Sequence, residues 1–215
     1  MDSNNQTIEL EYHLEIPRRS LKIQPGKLVA DFKMVKSNSV VIADILLETK
    51  NQSLKSINVG MRIRKTNNHI EFTYKKFLGK ENGAAKFDEL TTVLKETDYQ
   101  SVVNNKFTHL ADLDLVLKRL NKQLDDVYIL LIINNKRSIF DYASGSTQIE
   151  MILEDISYKS GALEAVDAMM ELEITSNSYD QKAVEKFIRI ISKTYQGKMV
   201  DEGKNARGMR LLNLS

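Results

Sequence analysis

Charged side chains alternate with apolar ones in TIELEYHLEI, a segment near the start of the chain. If this segment is a β-strand, its apolar residues share one face, while Glu9, Glu11, His13 and Glu15 share the other. Three carboxylates and an imidazole in one row repel one another when all are ionised. The segment therefore predicts either a strand face in contact with water or a face that binds a cation.

Two further segments keep charges of one sign together. MELEIT places Glu171 and Glu173 on one strand face, and VGMRIRK does the same with Arg62 and Arg64. Alternation in a single strand is typical of a sheet with one face in water. The separation of the two signs onto different strands needs a further reason, because neighbouring like charges are unfavourable. Clustered carboxylates favour a hard divalent cation, Mg²⁺ or Mn²⁺, and paired guanidinium groups favour a phosphate chain.

The composition is that of a globular protein, since 42% of the 215 residues are hydrophobic and 28% are charged. The 31 basic and 29 acidic residues leave a net charge of only +2, which excludes a strong general attraction to nucleic acid or to anionic membranes. The first residues lack the basic and apolar regions of a signal peptide. No run of about 18 apolar residues could span a bilayer. We therefore expect a cytoplasmic protein without a membrane partner.

Several chemistries are excluded by missing residue types and motifs. The chain contains no cysteine, no GxxxxGK[ST] loop and no HExxH motif, which excludes thiolate chemistry, a Walker-type phosphate loop and a zincin-type metal helix. A retaining glycosidase could use paired carboxylates, but it has no use for a pair of arginines facing them.

Hydrophobic periodicity predicts strands, then helices, then strands, then a last helix. The predicted strands are residues 8–16, 26–35, 40–48, 59–65, 69–77, 126–135, 137–143, 148–158 and 168–175. The predicted helices are residues 85–96, 108–124 and 180–195. Without regular strand–helix–strand alternation, this order predicts a single α+β domain over residues 1–215 with an antiparallel sheet.

A closed sheet would explain why charge is separated by strand. If the strands form a barrel, their apolar faces pack outward against the helices and their charged faces line a tunnel. Closure would bring the first and last strands together, so that Glu9, Glu11, Glu171 and Glu173 could converge. We therefore expect a closed antiparallel β-barrel with helices packed outside it.

The order of the charged motifs resembles that of the CYTH superfamily, the triphosphate tunnel metalloenzymes. The residues that carry the resemblance are Glu9-Leu10-Glu11-Tyr12-His13 for E-x-E-x-K, Arg62-Ile63-Arg64 for R-x-R, Thr73-Tyr74-Lys75 for T-x-K, Arg137 for a later basic position, Asp155 (or Glu154 in another register) for an acidic position, Glu171-Leu172-Glu173 for E-x-E, and Lys204 or Arg207 for a C-terminal basic position. The departure from the family pattern is His13, which stands where the family has lysine.

The resemblance implies an eight-stranded tunnel that holds a triphosphate and a divalent ion, Mg²⁺ or Mn²⁺. It assigns the metal to Glu9, Glu11, Glu171 and Glu173, the phosphate oxygens to Arg62, Arg64, Lys75, Arg137 and Lys204, and catalytic roles to Glu11, His13 and Asp155. The implied function is metal-dependent hydrolysis of inorganic tripolyphosphate or a small organic triphosphate.

Other functions stay open. The resemblance also allows an RNA 5′-triphosphatase, for which a triphosphate-ended RNA would be the partner, or a class IV-type adenylate cyclase. A third function is a non-catalytic module that binds polyphosphate or nucleotide, which would follow if His13 has replaced a catalytic lysine. The residues also allow a protein whose charged faces are merely solvated.

Overall fold

Ten strands and four helices are present in the computed structural model, which describes the backbone of residues 8–67, 69–81, 84–107, 110–122, 126–176 and 180–214. Side chains are described for these residues except 8–10, 51, 79–81, 84–87, 111 and 175–176. The strands are β1 (Ile8–Glu15), β2 (Leu28–Val29), β3 (Phe32–Thr49), β4 (Val59–Thr66), β5 (His69–Glu81), β6 (Ala84–Val93), β7 (Val127–Ser144), β8 (Thr147–Ser160), β9 (Leu163–Ser176) and β10 (Lys198–Val200). The helices are α1 (Glu96–Val103), α2 (Ala111–Arg119), α3 (Gln181–Tyr195) and α4 (Lys204–Leu211).

The strands are hydrogen-bonded in the order β10-β1-β9-β8-β7-β3-β4-β5-β6, with β2 beside β3. This order confirms the α+β class, and the paired strands β1 and β9 are antiparallel, as are β4 and β5. Within the described residues the order ends at β10 and at β6, so the sheet is open and has ten strands. The prediction of a closed, eight-stranded barrel is wrong. The charge separation that suggested closure has another cause, because opposite charges on adjacent elements balance each set, as shown below.

The described residues divide into two compact units. The first contains the described parts of Met1–Val41, Asn135–Ser157 and Ala165–Ser215. Its core forms where α3 packs its buried face on the apolar faces of β8 and β9, and the α3 residues that contribute are Val184, Phe187, Ile191 and Tyr195. This three-to-four spacing is that of one helix face, and it confirms the predicted last helix. Asp180 starts α3 by accepting a hydrogen bond from the backbone N–H of Ala183.

The second unit contains the described parts of Ile42–Asn134 and Tyr158–Glu164. Its core joins the apolar faces of β4 and β5 to the leucine-rich face of α2, with Ile63, Phe72, Leu113 and Leu117 buried. The leucine stripe is thus a core face. Helix α2 is shorter than the predicted helix 108–124, of which residues 108–109 and 123–124 lie outside the described residues.

One predicted helix is wrong, because most of residues 85–96 form β6. Phe87, Leu90 and Leu94 have helical spacing, but the intervening Thr91-Thr92-Val93 is a run of β-branched residues, which favours a strand. Strand β6 pairs along β5, with Leu90 opposite Tyr74, and this hairpin outweighs the helical periodicity. The helix that the sequence reading missed, α1, begins only at Glu96.

One pair of predicted strands forms a single long strand, because β7 covers most of 126–135 and all of 137–143. Strand β3 covers all of 40–48 but only the last four residues of 26–35, where β2 pairs with β3 as a short hairpin. The polar residues between these segments do not interrupt the strands. In β7 the buried amide of Asn135 donates a hydrogen bond to Glu154 on β8, so a polar side chain is accommodated within the sheet. None of the described helices combines the length and apolar character needed to cross a membrane.

Candidate functional site

A row of acidic residues lies where β1 pairs with β9. The register places Glu11 opposite Glu173 and His13 opposite Glu171, so the charged faces of these two strands form one surface. Nε2 of His13 lies 2.6 Å from a carboxylate oxygen of Glu11. One ligand atom each from Glu11, His13 and Glu171 lie within 4.8 Å of one another. Glu9 lies in β1 as well, but its side chain is outside the described residues.

A fully buried carboxylate, Glu154, lies at the centre of the neighbouring polar contacts. Its Oε1 accepts hydrogen bonds from Nζ of Lys204 at 2.6 Å and from Nδ2 of Asn135 at 2.7 Å. Nε of Arg137 lies 2.9 Å from this same oxygen, Oε1. The two groups form an ion pair, but their geometry is not that of a hydrogen bond. The second oxygen, Oε2, is buried and has no hydrogen-bond partner among the described residues. A buried acceptor without a partner is unfavourable, so this oxygen can take a water or another donor.

Lys204 and Arg137 connect Glu154 to the acidic row. Nζ of Lys204 also donates to Oε2 of Glu171 at 3.2 Å, and Nη2 of Arg137 lies 3.7 Å from the same oxygen. Two cations thus neutralise two buried carboxylates that come from different strands. This local balance explains why like charges on one strand do not require a closed barrel.

The two carboxyl groups of β9 have opposite pKa shifts. Burial would raise the pKa of Glu171, but the charge of Lys204, a hydrogen bond with Glu173 and the charge of Arg137 lower it to about 2. Burial raises the pKa of Glu173 to about 7, and its hydrogen bond with Glu171 and the charge of Glu171 act in the same direction. Near neutral pH, therefore, Glu171 is ionised while Glu173 still holds a proton in part of the molecules.

The pKa of Glu173 predicts how pH affects stability when a chelator is present. Between about pH 4.5 and pH 7 the folded protein keeps a proton on Glu173 that the unfolded chain has lost, so the free energy of unfolding falls as pH rises through this window. We expect Glu173→Gln to abolish this part of the fall, because an amide does not titrate. Urea unfolding at pH 5 and pH 7 measures it. Glu185→Gln on the exposed side of α3 is the control and should keep the wild-type slope; an equal slope in the Glu173 variant would contradict the shift.

The donor set of Glu11, His13 and Glu171 fits a divalent ion. Carboxylate oxygens are ligands for Mg²⁺ and Mn²⁺, and an imidazole nitrogen is a good ligand for transition metals. A metal ion bound by Nε2 of His13 would take the place of the direct contact between Nε2 and Glu11. The described residues therefore include a site that could bind a divalent ion with one nitrogen and two or more oxygen ligands.

Asp155 does not lie with this cluster. Side chains alternate along β8, so Glu154 and Asp155 point to opposite faces. The half-exposed carboxylate of Asp155 accepts two hydrogen bonds from the guanidinium of Arg18, at 2.7 and 3.0 Å. Of the two acidic positions that the sequence offered, the structure places Glu154 beside Arg137 and Glu171.

The second unit carries a separate set of basic residues on β4 and β5. Arg64 forms a two-pronged ion pair with Asp44 on β3, with both N–O distances at 2.7 Å. Nη2 of Arg62 lies 3.6 Å from Glu71, and Nζ of Lys75 lies 3.4 Å from Glu89. Each of the predicted phosphate ligands in this unit thus faces a carboxylate.

The partly buried guanidinium of Arg62 has fewer partners for its charge and its N–H groups than the contact with Glu71 suggests. Burial, and then the charge of Arg64, lower the pKa of Arg62. Its Nε is buried without a hydrogen-bond partner among the described residues, and so is the hydroxyl of Thr73, which lies directly opposite on β5. A buried N–H and a buried hydroxyl at paired positions can both donate to one oxyanion.

The sequence reading missed Asn135 and Asp44, and it gave Glu154 only as an alternative. All three lie in segments rich in apolar residues, where a polar side chain gives no signal of its own. The alternation of side chains along β8 was the signal that could have identified Glu154, because Glu150, Ile152 and Glu154 share the face of β8 opposite its core face. Of the two C-terminal basic residues that the sequence offered, Lys204 contacts the acidic cluster, and Arg207 lies in the same helix.

The sequence matches the CYTH domain family over residues 7–208. The chain therefore belongs to the CYTH family, as its motif order predicted. No curated protein matches the sequence.

Two solved structures have a similar fold. One is a proposed adenylyl cyclase from Hippeastrum, described as having a dominant triphosphatase activity, with 16% identity, coverage of 94% of this chain and 96% of that chain, and a TM-score of 0.55. The other is a proposed adenylate cyclase from Bacillus halodurans, with 17% identity, coverage of 93% and 96%, and a TM-score of 0.54. At such identities the likeness establishes the fold alone.

Proposed function

We propose that this chain is a metal-dependent hydrolase of a small-molecule triphosphate. The observation that carries the proposal is the cluster of Glu11, His13 and Glu171, whose ligand atoms lie within 4.8 Å of one another beside the cations Lys204 and Arg137. Metal ligands and phosphate-binding cations on one surface are what hydrolysis of a phosphoanhydride requires. The dominant triphosphatase activity described for the Hippeastrum protein supports this class of reaction.

Glu11, His13 and Glu171 would hold the ion, with Glu9 and Glu173 as further carboxylates of the same two strands. A bound divalent ion supplies charge neutralisation of the phosphate oxygens. Because the set includes an imidazole, we expect Mn²⁺ to bind more tightly than Mg²⁺. Titration calorimetry with the two ions tests this order.

Lys204, Arg137 and Glu154 would bind the substrate and the water. Lys204 donates to Glu154 and Glu171 among the described residues, which leaves one of its three N–H groups for a phosphate oxygen. Oε2 of Glu154 can accept a hydrogen bond from the attacking water. The water oxygen bonds to the terminal phosphorus, the bond from that phosphorus to the bridging oxygen breaks, and the products are phosphate and the shortened phosphate chain, with the water proton released to solvent.

Within the second unit, Arg62, Arg64 and Lys75 are proposed as ligands for phosphate oxygens. The uncompensated Nε of Arg62 and the hydroxyl of Thr73 support this assignment, because both donors are buried and lack a partner among the described residues. Asp44 holds the guanidinium of Arg64 in one orientation through its two hydrogen bonds. A fixed guanidinium loses less entropy when it binds an anion than a free one.

Arg62→Lys tests this assignment. The change keeps the positive charge but removes Nε and the planar fork, and we expect kcat/KM for tripolyphosphate to fall about tenfold, or about 1.4 kcal/mol in transition-state stabilisation. Steady-state kinetics with saturating Mn²⁺ measures it. Arg119→Lys at the end of α2 is the control and should match the wild type. Unchanged kinetics in the Arg62 variant would remove Arg62 from the substrate site.

Phosphate release from a panel of substrates identifies the class of triphosphate. The panel contains tripolyphosphate, thiamine triphosphate, ATP and an RNA with a 5′-triphosphate, each with Mn²⁺, Mg²⁺ or chelator. We expect metal-dependent release from tripolyphosphate to be the fastest. Cyclic AMP formed from ATP would instead favour the cyclase, and release from the RNA alone would favour the RNA 5′-triphosphatase.

A non-catalytic binding module is the second candidate, and one observation favours it. His13 stands where the family has lysine, and its Nε2 is engaged with Glu11 rather than free for a phosphate oxygen. In this case tripolyphosphate would bind in the presence of metal, as measured by calorimetry, while no phosphate is released from any member of the panel.

A further inference from the structure

Arg207 in α4 is a charged side chain with almost no contact with water, since only 1% of its surface is exposed. Its Nε donates to Oδ2 of Asp167 at 2.7 Å, and its Nη2 donates to Oδ1 at 2.9 Å. Nη1 lies 3.5 Å from Glu15 on β1. These contacts join one helix to two neighbouring strands through a two-pronged, charge-assisted pair.

The position of this pair relates it to the acidic cluster. Asp167 precedes Glu171 by four residues on β9, so the two side chains lie on the same strand face. Lys204 precedes Arg207 by three residues in α4, so these two side chains lie on the same helix face. The same helix face and the same strand face therefore make two contacts: Arg207 binds Asp167, and Lys204 binds Glu171 at 3.2 Å.

The segment before α4 is attached to the same strands. Strand β10 pairs with β1, with Val200 opposite His13. Lys204 therefore lies between two attachments, the backbone pairing of β10 and the side-chain pair of Arg207. With both in place, its amine reaches Oε1 of Glu154 at 2.6 Å as well as Glu171.

Stability alone does not require such a pair. An apolar side chain of similar volume often stabilises a buried position as well as an ion pair does. A two-pronged pair differs in that it fixes direction and register, because both N–H groups must meet both carboxylate oxygens. A lysine has four flexible torsions, so the placement of its amine depends on how firmly its helix is held.

We propose that the Arg207–Asp167 pair holds α4 in the register that brings Lys204 to Glu154 and Glu171, which makes Arg207 a positioning residue for the phosphate-binding site. The kinetic part of this inference rests on the proposed function. The placement of Lys204 itself does not, and it is measured without substrate or metal.

The first measurement is the rate at which an amine-reactive acylating reagent modifies Lys204, followed by mass spectrometry. In the wild type the amine is engaged with two carboxylates and should react slowly. Asp167→Asn keeps the side-chain volume but removes the negative charge that the guanidinium of Arg207 binds. Arg207→Gln removes the guanidinium itself. We expect either change to raise the Lys204 rate about tenfold, the factor that corresponds to the loss of one charge-assisted hydrogen bond.

Arg210→Lys is the matched control, because Arg210 lies in the same helix and pairs with Glu202 through a half-exposed guanidinium. It should leave the Lys204 rate unchanged. If Asp167→Asn, confirmed as folded by circular dichroism, also leaves the rate unchanged, the inference is overturned.

The second measurement is a double-mutant cycle on kcat/KM for tripolyphosphate. Asp167→Asn should lower kcat/KM about tenfold in the presence of Lys204 and less than about twofold after Lys204→Met, because the pair then has nothing to position. Equal kinetic losses in both backgrounds would show a structural role only and overturn the inference. If the wild type hydrolyses no triphosphate, the proposed function fails and the acylation rates alone decide the inference.

Discussion

Glu171→Gln is expected to abolish most of the activity, with kcat/KM for tripolyphosphate at least about 100-fold below that of the wild type. A change in a residue that only supports a metal ligand already lowers metal affinity or activity by about 10- to 100-fold, and Glu171 is proposed as a ligand itself. Its carboxylate is ionised down to a pKa of about 2, because Lys204 and Arg137 stabilise the charge. The amide removes the charge and leaves both cations partly uncompensated.

The measurement pairs calorimetric titration of Mn²⁺ with steady-state kinetics. We expect Mn²⁺ affinity and kcat/KM to fall together in the Glu171 variant, with near-wild-type circular dichroism. Glu185→Gln removes a carboxylate from the exposed side of α3 and should change neither quantity. Wild-type Mn²⁺ affinity in the Glu171 variant would refute its role as a ligand.

Glu154→Ala should have the largest effect on stability, about 3–5 kcal/mol, because it removes a fully buried carboxylate that compensates two partly buried cations, Lys204 and Arg137. Nζ of Lys204 and Nδ2 of Asn135 would both lose their 2.6–2.7 Å acceptor. For a chain of this size, such a loss corresponds to a fall in unfolding temperature of roughly 6–20 °C. Differential scanning calorimetry at pH 7 with chelator measures it.

Glu150→Ala is the matched control for Glu154, because both carboxylates lie on the same face of β8. Burial and the nearby Asp141 raise the pKa of Glu150, so its charge is unfavourable in the folded state. Its removal should leave the unfolding temperature unchanged or raise it. If the two variants melt alike, Glu154 does not compensate the cations.

Local patterns predicted the elements better than the assembly of the sheet. Period-two alternation identified the charged faces of β1, β4 and β9, because alternation is a property of each strand alone. Closure depends on strand tilt and on register between strands that are distant in sequence. The alternation is the same in an open and a closed sheet, so the barrel could not be deduced from it.

The residues of the candidate site likewise could be predicted only where the signal lies within one strand. Glu11, His13 and Glu171 were predicted from their own strands, and the structure brings them together. The compensating role of Glu154 depends on cross-strand neighbours, namely Asn135 and Arg137 on β7. Which of two adjacent acids faces these neighbours is decided by the register of β8, and the resemblance favoured Asp155, which lies on the opposite face beside Arg18.

The pairing of β1 has a consequence for folding during synthesis. Glu11 pairs with Glu173, so β1 leaves the ribosome long before its partner strand exists. An alternating strand with an apolar face and free backbone groups is a template for aggregation during this interval. Glu11 and Glu15, together with the other charges of that face, act as gatekeepers, because like charges oppose pairing between two nascent chains. Glu11, which is proposed to bind metal in the folded protein, would therefore also protect the nascent chain, and replacement of Glu11 and Glu15 by apolar residues should lower the yield of soluble protein even where the native fold tolerates the change.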